Sequence, residues 1–100
     1  MQTVSAFSCP IIDVQAELSY WQAVHAGGHL GRYDFSDYAT LLKLGYDVYL
    51  AHPHASELQL YRILRKTYRS RHPMSPVPWE QARGLVRHAW RHMEQSARER

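Results

Sequence analysis

The segment from Ser56 to Arg71, SELQLYRILRKTYRSR, constrains this chain more than any other. Ser56 followed three residues later by Gln59 is a capping box, in which two side chains satisfy backbone donors that the first turn of a helix leaves orphaned. Leu60, Leu64 and Tyr68 recur at i, i+4 and i+8, with Tyr61 and Ile63 beside them. Arg62, Arg65, Lys66 and Arg69 occupy the opposite face. A helix with one apolar stripe buries that stripe against other elements, so the rest of the chain has to supply partners for it.

Three further segments carry the same periodicity. Asp13 is a suitable N-cap for a helix running to about Ala26, with Val14, Leu18, Trp21 and His25 on one face. Gly27-Gly28 ends it, because glycine accepts the left-handed conformation that follows a helix. Asp34 caps a second helix over residues 35 to about 50, with Phe35, Tyr38, Leu41, Leu42 and Tyr49 as its apolar face. Gly45 falls inside it, where glycine either bends a helix or admits a close neighbour. His52-Pro53 stops it. After the stiff connector His72-Pro73-Met74-Ser75-Pro76-Val77-Pro78, Pro78 suits the first helical position of a fourth helix reaching Gln95 or beyond. Its apolar stripe is Trp79, Ala82, Val86, Ala89, Trp90 and Met93, and its polar stripe is Arg83, Arg87 and Arg91.

No stretch has enough strand character to build a sheet. The expected fold is therefore all-α: a single domain over residues 1–100, a compact bundle of about four helices with short connectors, frayed at 1–9 and 97–100. The expected core is Leu18, Trp21, Leu41, Leu64, Tyr68, Val86 and Trp90. At 100 residues with 45% hydrophobic and 21% charged side chains, the chain has the composition of a globular domain.

No run approaches the roughly 20 apolar residues of a membrane span. The start lacks the basic residues of a secretory signal, and Cys9, the single cysteine, can form no intramolecular disulfide. A cytoplasmic location is the expectation. Charge is unevenly divided. Residues 1–61 carry two basic and six acidic side chains, a balance of −4, whereas residues 62–100 carry ten basic and three acidic, a balance of +7. Such asymmetry means either internal neutralisation or an anionic partner.

The candidate working surface is accordingly basic: Arg62, Arg65, Lys66 and Arg69 on the third helix, with Arg83, Arg87 and Arg91 on the fourth. If both stripes face one way, seven cations line one groove. An acidic protein partner or another subunit is the first expectation, and nucleic acid using the same surface is the alternative. A plain solvated face, with Glu80 near Arg83 and Glu94 near Arg91 and Arg98, competes with both.

Seven histidines raise a third possibility. His88 and His92 stand at i, i+4, the spacing that lets two imidazoles share a metal ion, and His25/His29 and His52/His54 are further pairs. No cysteine pair or glutamate-bearing histidine motif accompanies them. His25 continues an apolar stripe and reads as a satisfied core residue. Tyr33, Tyr38, Tyr46 and Tyr49 read as core packing with hydroxyls at the water boundary, or else as a contact surface. For catalysis there is little: no phosphate-cradling glycine loop, no base near Cys9, and Asp34, Asp37 and Asp47 spaced for caps and solvated faces. The expectation is a small non-catalytic binding module with no cofactor, no membrane contact and no small-molecule substrate.

Overall fold

A computed structural model describes residues 13–98; Cys9, the expected fraying of residues 1–9 and the final residues 99 and 100 lie outside the described residues. Four helices follow one another: α1 Val14–Ala26, α2 Phe35–Ala51, α3 Glu57–Arg71 and α4 Trp79–Arg98. Among the described residues there is no strand.

The capping signals act as their residue types dictate at two of four starts. Asp13 accepts from the Ala16 amide at 3.1 Å, and Ser56 and Gln59 form both halves of the capping box, at 3.2 and 2.8 Å. Asp34 holds the N-cap position with extended backbone, but its side chain makes no capping bond. Its carbonyl alone receives the first amide, that of Asp37, at 3.0 Å. At the fourth start, Pro78 sits one position earlier than expected. Its carbonyl accepts from Ala82 at 2.9 Å, so Pro78 is the cap and Trp79 the first helical residue. Gly28, with φ of 80°, turns the chain away from α1.

Helix α2 is the hub, packing against α1, α3 and α4. Its buried residues are Tyr38, Leu41, Leu42, Leu44, Gly45, Tyr46 and Val48, a far wider arc than one amphipathic stripe. Water reaches it along Ser36, Thr40, Lys43, Asp47 and Leu50, positions at i, i+4, i+7, i+11 and i+14 that form a single strip. A helix apolar over most of its circumference belongs at the centre of a bundle.

Gly45 does not end α2, which continues to Ala51. A β-carbon there would stand 2.8 Å from Val86 Cγ1, so the missing side chain is what lets α4 approach. The Trp90 indole donates to the Gly45 carbonyl at 2.9 Å across the same contact. All seven expected core residues are buried, together with Leu42, Tyr46, Ala82, Ala89 and Met93. The helix α3 to α4 connector closes on Tyr68, whose hydroxyl lies 2.7 Å from both Ser75 Oγ and the Val77 carbonyl. Helices α3 and α4 run antiparallel, as Tyr68 beside Trp79 and Glu57 beside Arg91 require.

Candidate functional site

Two surfaces carry chemistry. The first is the basic one. Arg62, Arg65, Lys66 and Arg69, with Ser70, line one shallow open depression on α3. None of these four cations stands within ion-pair distance of an acid among the described residues, where the pairs formed are Arg91–Glu57 and His92–Glu17. Leu58, 60% exposed, shares their side of the helix at i−4 from Arg62 and i−7 from Arg65.

The α4 arginines do not join that depression. Arg91 reaches both Glu57 carboxylate oxygens at 3.4 Å, and the Arg83 guanidinium lies 4.8 Å from the Tyr61 ring centroid, a cation–π distance. Tyr61 in turn donates to Glu57 at 2.7 Å. That hydrogen bond, with Arg91 and Arg87 nearby, holds the Glu57 carboxyl below the usual glutamate range. Burial and the bond to Glu57 push the Tyr61 hydroxyl up to about 12. Arg83 and Arg91 of the α4 stripe are thus occupied in joining two helices, while Arg87 and the α3 stripe form no such contact among the described residues. Glu94, expected beside Arg91 and Arg98, instead accepts from Tyr49 at 2.8 Å; burial and this bond push the Tyr49 hydroxyl up to about 12.

The second surface is a groove between α1, the loop that follows it, and α4. Val24, Leu30 and Leu85 supply apolar walls, while His29 and Arg32 of the loop face His88 and His92 of α4. Behind His92 lies Glu17, the one buried charged side chain among the described residues, at 6% exposure. Tyr46, fully buried, donates to Glu17 Oε1 at 2.9 Å and accepts from the Trp21 indole at 2.9 Å. The His92 Nδ1 atom lies 2.9 Å from the same Oε1.

Hydrogen positions in this network follow from chemistry. An indole N–H can only donate, so the Tyr46 oxygen accepts from Trp21 and spends its own proton on Glu17. Oε1 is then an acceptor, and His92 supplies Nδ1–H to it. Burial, the largest influence, pushes the Tyr46 hydroxyl far above its ordinary range, which keeps it a donor throughout the accessible pH range. Tyr20 stacks on the His92 ring with centroids 3.9 Å apart and planes 18° from parallel, so the imidazole is fixed both in plane and in rotation. Its Nε2 makes no hydrogen bond to the described residues, although the ring borders the groove.

The histidine pairs divide. His88 and His92 do share the groove, with His29 across from them. Among the described residues, however, no three of His, Cys, Asp and Glu come close enough together to hold a metal ion. His25 is half-buried and donates through Nε2 to the Tyr33 carbonyl at 2.7 Å, tying the loop to α1. The tyrosine group of α2 and its approach packs inward: Tyr38 and Tyr46 are buried, and their hydroxyls find partners. No serine, threonine or cysteine lines the groove among the described residues.

Glu17 is the residue that reading the sequence alone overlooks; Tyr46, read there as core packing with its hydroxyl at the water boundary, instead spends that hydroxyl inside the core on Glu17. A signal existed: Glu17 stands three after Val14 and four before Trp21, inside the apolar stripe of α1. A carboxylate in that position needs a buried donor, and Tyr46 is one.

Comparison of the chain with protein-family models, with curated proteins and with solved structures finds no match. None of the helices in the described residues is long and apolar enough to cross a membrane.

Proposed function

We propose that this helical protein is a docking module that binds an acidic protein segment through the outer face of α3. The observation that carries this reading is the contrast between the two basic stripes. On α4, Arg91 pairs with Glu57 and Arg83 lies over Tyr61, whereas Arg62, Arg65, Lys66 and Arg69 share one open depression with no acid among the described residues. Exposed cations add little to the stability of a fold, so folding alone gives no reason for four on one side. Leu58 favours a protein over a polyanion as the partner: protein interfaces place apolar contact beside arginine-rich rims, while phosphate contacts are electrostatic.

The test compares a fluorescent helical peptide of alternating Glu and Leu turns with a duplex oligonucleotide, by anisotropy at two salt concentrations. The expected result is saturable one-to-one peptide binding, lost in the double variant Arg65→Glu/Arg69→Glu and weakened in Leu58→Ser, with the helical spectrum of each variant intact. Binding of the oligonucleotide instead, with a salt slope near −0.9 per phosphate contacted and no response to Leu58→Ser, would move the reading to nucleic acid. Binding of neither leaves a solvated face and ends the proposal.

A further inference from the structure

The groove between α1 and α4 has features that docking on α3 does not use. The geometry points to a second, independent site there, for a small organic oxyanion: a flat apolar body bearing a carboxylate or a phosphate.

Four observations lead to this. First, His92 is a built group. Glu17 anchors its Nδ1 at 2.9 Å and Tyr20 stacks on its face at 3.9 Å, and the carboxylate is itself held by Tyr46 and, behind it, Trp21. A surface histidine needs no such support, and chains of this kind are what orient imidazoles toward ligands. Second, the deduced tautomer commits Nδ1–H to Glu17. A proton taken up by the ring therefore sits on Nε2, on the ring edge away from the network, where it can be donated to an oxyanion. Third, the groove is lined by His29, Arg32, His88 and His92 and, among the described residues, by no carboxylate, although the chain carries nine acidic residues. Arg91, at its edge, is already paired with Glu57. Arg32, whose guanidinium lies 5.4 Å from the Tyr33 ring centroid and which pairs with no acid among the described residues, is the planar donor suited to a carboxylate or phosphate. Fourth, Val24, Leu30 and Leu85 give the groove apolar wall, so a bare inorganic anion would leave that surface unfilled.

A metal ion would need three converging ligands, and the described residues do not assemble them. Oxyanion binding asks only for the donors and walls already in place.

The test is titration of the whole protein with phenyl phosphate and, separately, with benzoate, followed by nitrogen NMR of the histidine rings and of the Trp21 indole in mildly acidic buffer. Inorganic phosphate supplies the charge without the body, and benzyl alcohol the body without the charge. The expected result is saturable binding of one or both aromatic anions with shifts at His92 Nε2, His88 and Trp21. It should be about tenfold weaker in Arg32→Ala and in His92→Gln, the loss typical of one charge-assisted hydrogen bond. The stronger of the two anions tells phosphate from carboxylate. Arg32 lies in an exposed loop, so its variant remains informative even if His92→Gln fails to fold. Benzyl alcohol binding as well as benzoate, anion shifts confined to the α3 face, or no saturable shift with either anion would each overturn the site. So would zinc titrating His88 and His92 while the anions do not. Because no α3 residue lines the groove, the Arg65→Glu/Arg69→Glu variant should bind the aromatic anions as the unaltered protein does.

Discussion

The Trp21 indole donates to the Tyr46 hydroxyl at 2.9 Å, joining two helices through residues 25 positions apart in the chain. This bond sets the polarity of everything beyond it. Tyr46 must donate onward to Glu17, Glu17 must accept, and His92 must present its Nδ1–H.

Removing the hydroxyl tests that order. In Tyr46→Phe the indole N–H loses its buried acceptor and Glu17 loses one of its donors. A buried donor left unsatisfied costs about 1–3 kcal/mol, and the ring volume is otherwise kept. Urea unfolding should show a loss in that range. Tyr49→Phe, which removes a half-buried hydroxyl bonded to Glu94, should cost less, because water can reach Glu94. Equal losses for the two would mean that the network is not closed to solvent.

The two glycines that lie within helices should respond in opposite directions to alanine. At Gly45 a β-carbon meets Val86 Cγ1 at 2.8 Å and Cγ2 at 3.1 Å. Both atoms belong to a fully buried side chain, so α4 has to move, and overpacking of this kind costs about 1–3 kcal/mol. At Gly84 a β-carbon meets nothing within 4 Å. Alanine there gains helix propensity alone, up to about 1 kcal/mol. Thermal melts of Gly45→Ala and Gly84→Ala should move down and up respectively. A rise for Gly45→Ala would show that the α2–α4 contact is looser than described.

These cases show what the sequence made legible. Periodicity placed Leu64, Tyr68, Val86 and Trp90 in the core, because a 3.6-residue repeat reports which side of a helix is dry. It also exposed the α3 cations. It did not show that α2 is central, since the narrow stripe assigned to it omitted Leu44, Tyr46 and Val48. The polar strip Ser36, Thr40, Lys43 and Asp47 was the better guide, because one thin wet line implies burial everywhere else. Periodicity could not show that Arg91 belongs to Glu57 or that His92 belongs to Glu17, 75 residues away. Those pairings depend on how helices cross, and nothing local encodes a crossing.

Leu64 is the direct measure of the α3 assignment. It is fully buried and central to the stripe, so Leu64→Ala should cost about 2–5 kcal/mol through lost transfer energy and residual cavity. Leu58→Ala, two turns away on the exposed side, should change stability by less than about 0.5 kcal/mol. A loss below about 0.5 kcal/mol at Leu64 would mean that α3 is rotated from the orientation described.

The pH response of the α3–α4 junction follows from Glu57 and Tyr61. Glu57 titrates below the ordinary glutamate value because Tyr61 donates to it and Arg91 and Arg87 face it. A carboxylate depressed in the folded state stabilises the fold above its unfolded pKa, and that contribution disappears as pH falls through the folded value. Glu57 is exposed, so solvent screening keeps the effect small, and the site itself reports it best. Carboxyl-carbon NMR should place Glu57 below the ordinary glutamate range. In Tyr61→Phe its value should rise toward ordinary, since the largest influence is gone while the arginines remain. Tyrosine absorbance should show the other half of the coupling: Tyr61, pushed up to about 12, should ionise later than free tyrosine, and earlier once Glu57→Gln removes the negative charge beside it. If Glu57 titrates alike with and without the Tyr61 hydroxyl, the arginines alone set its charge, and the junction is an ion pair without the tyrosine's help.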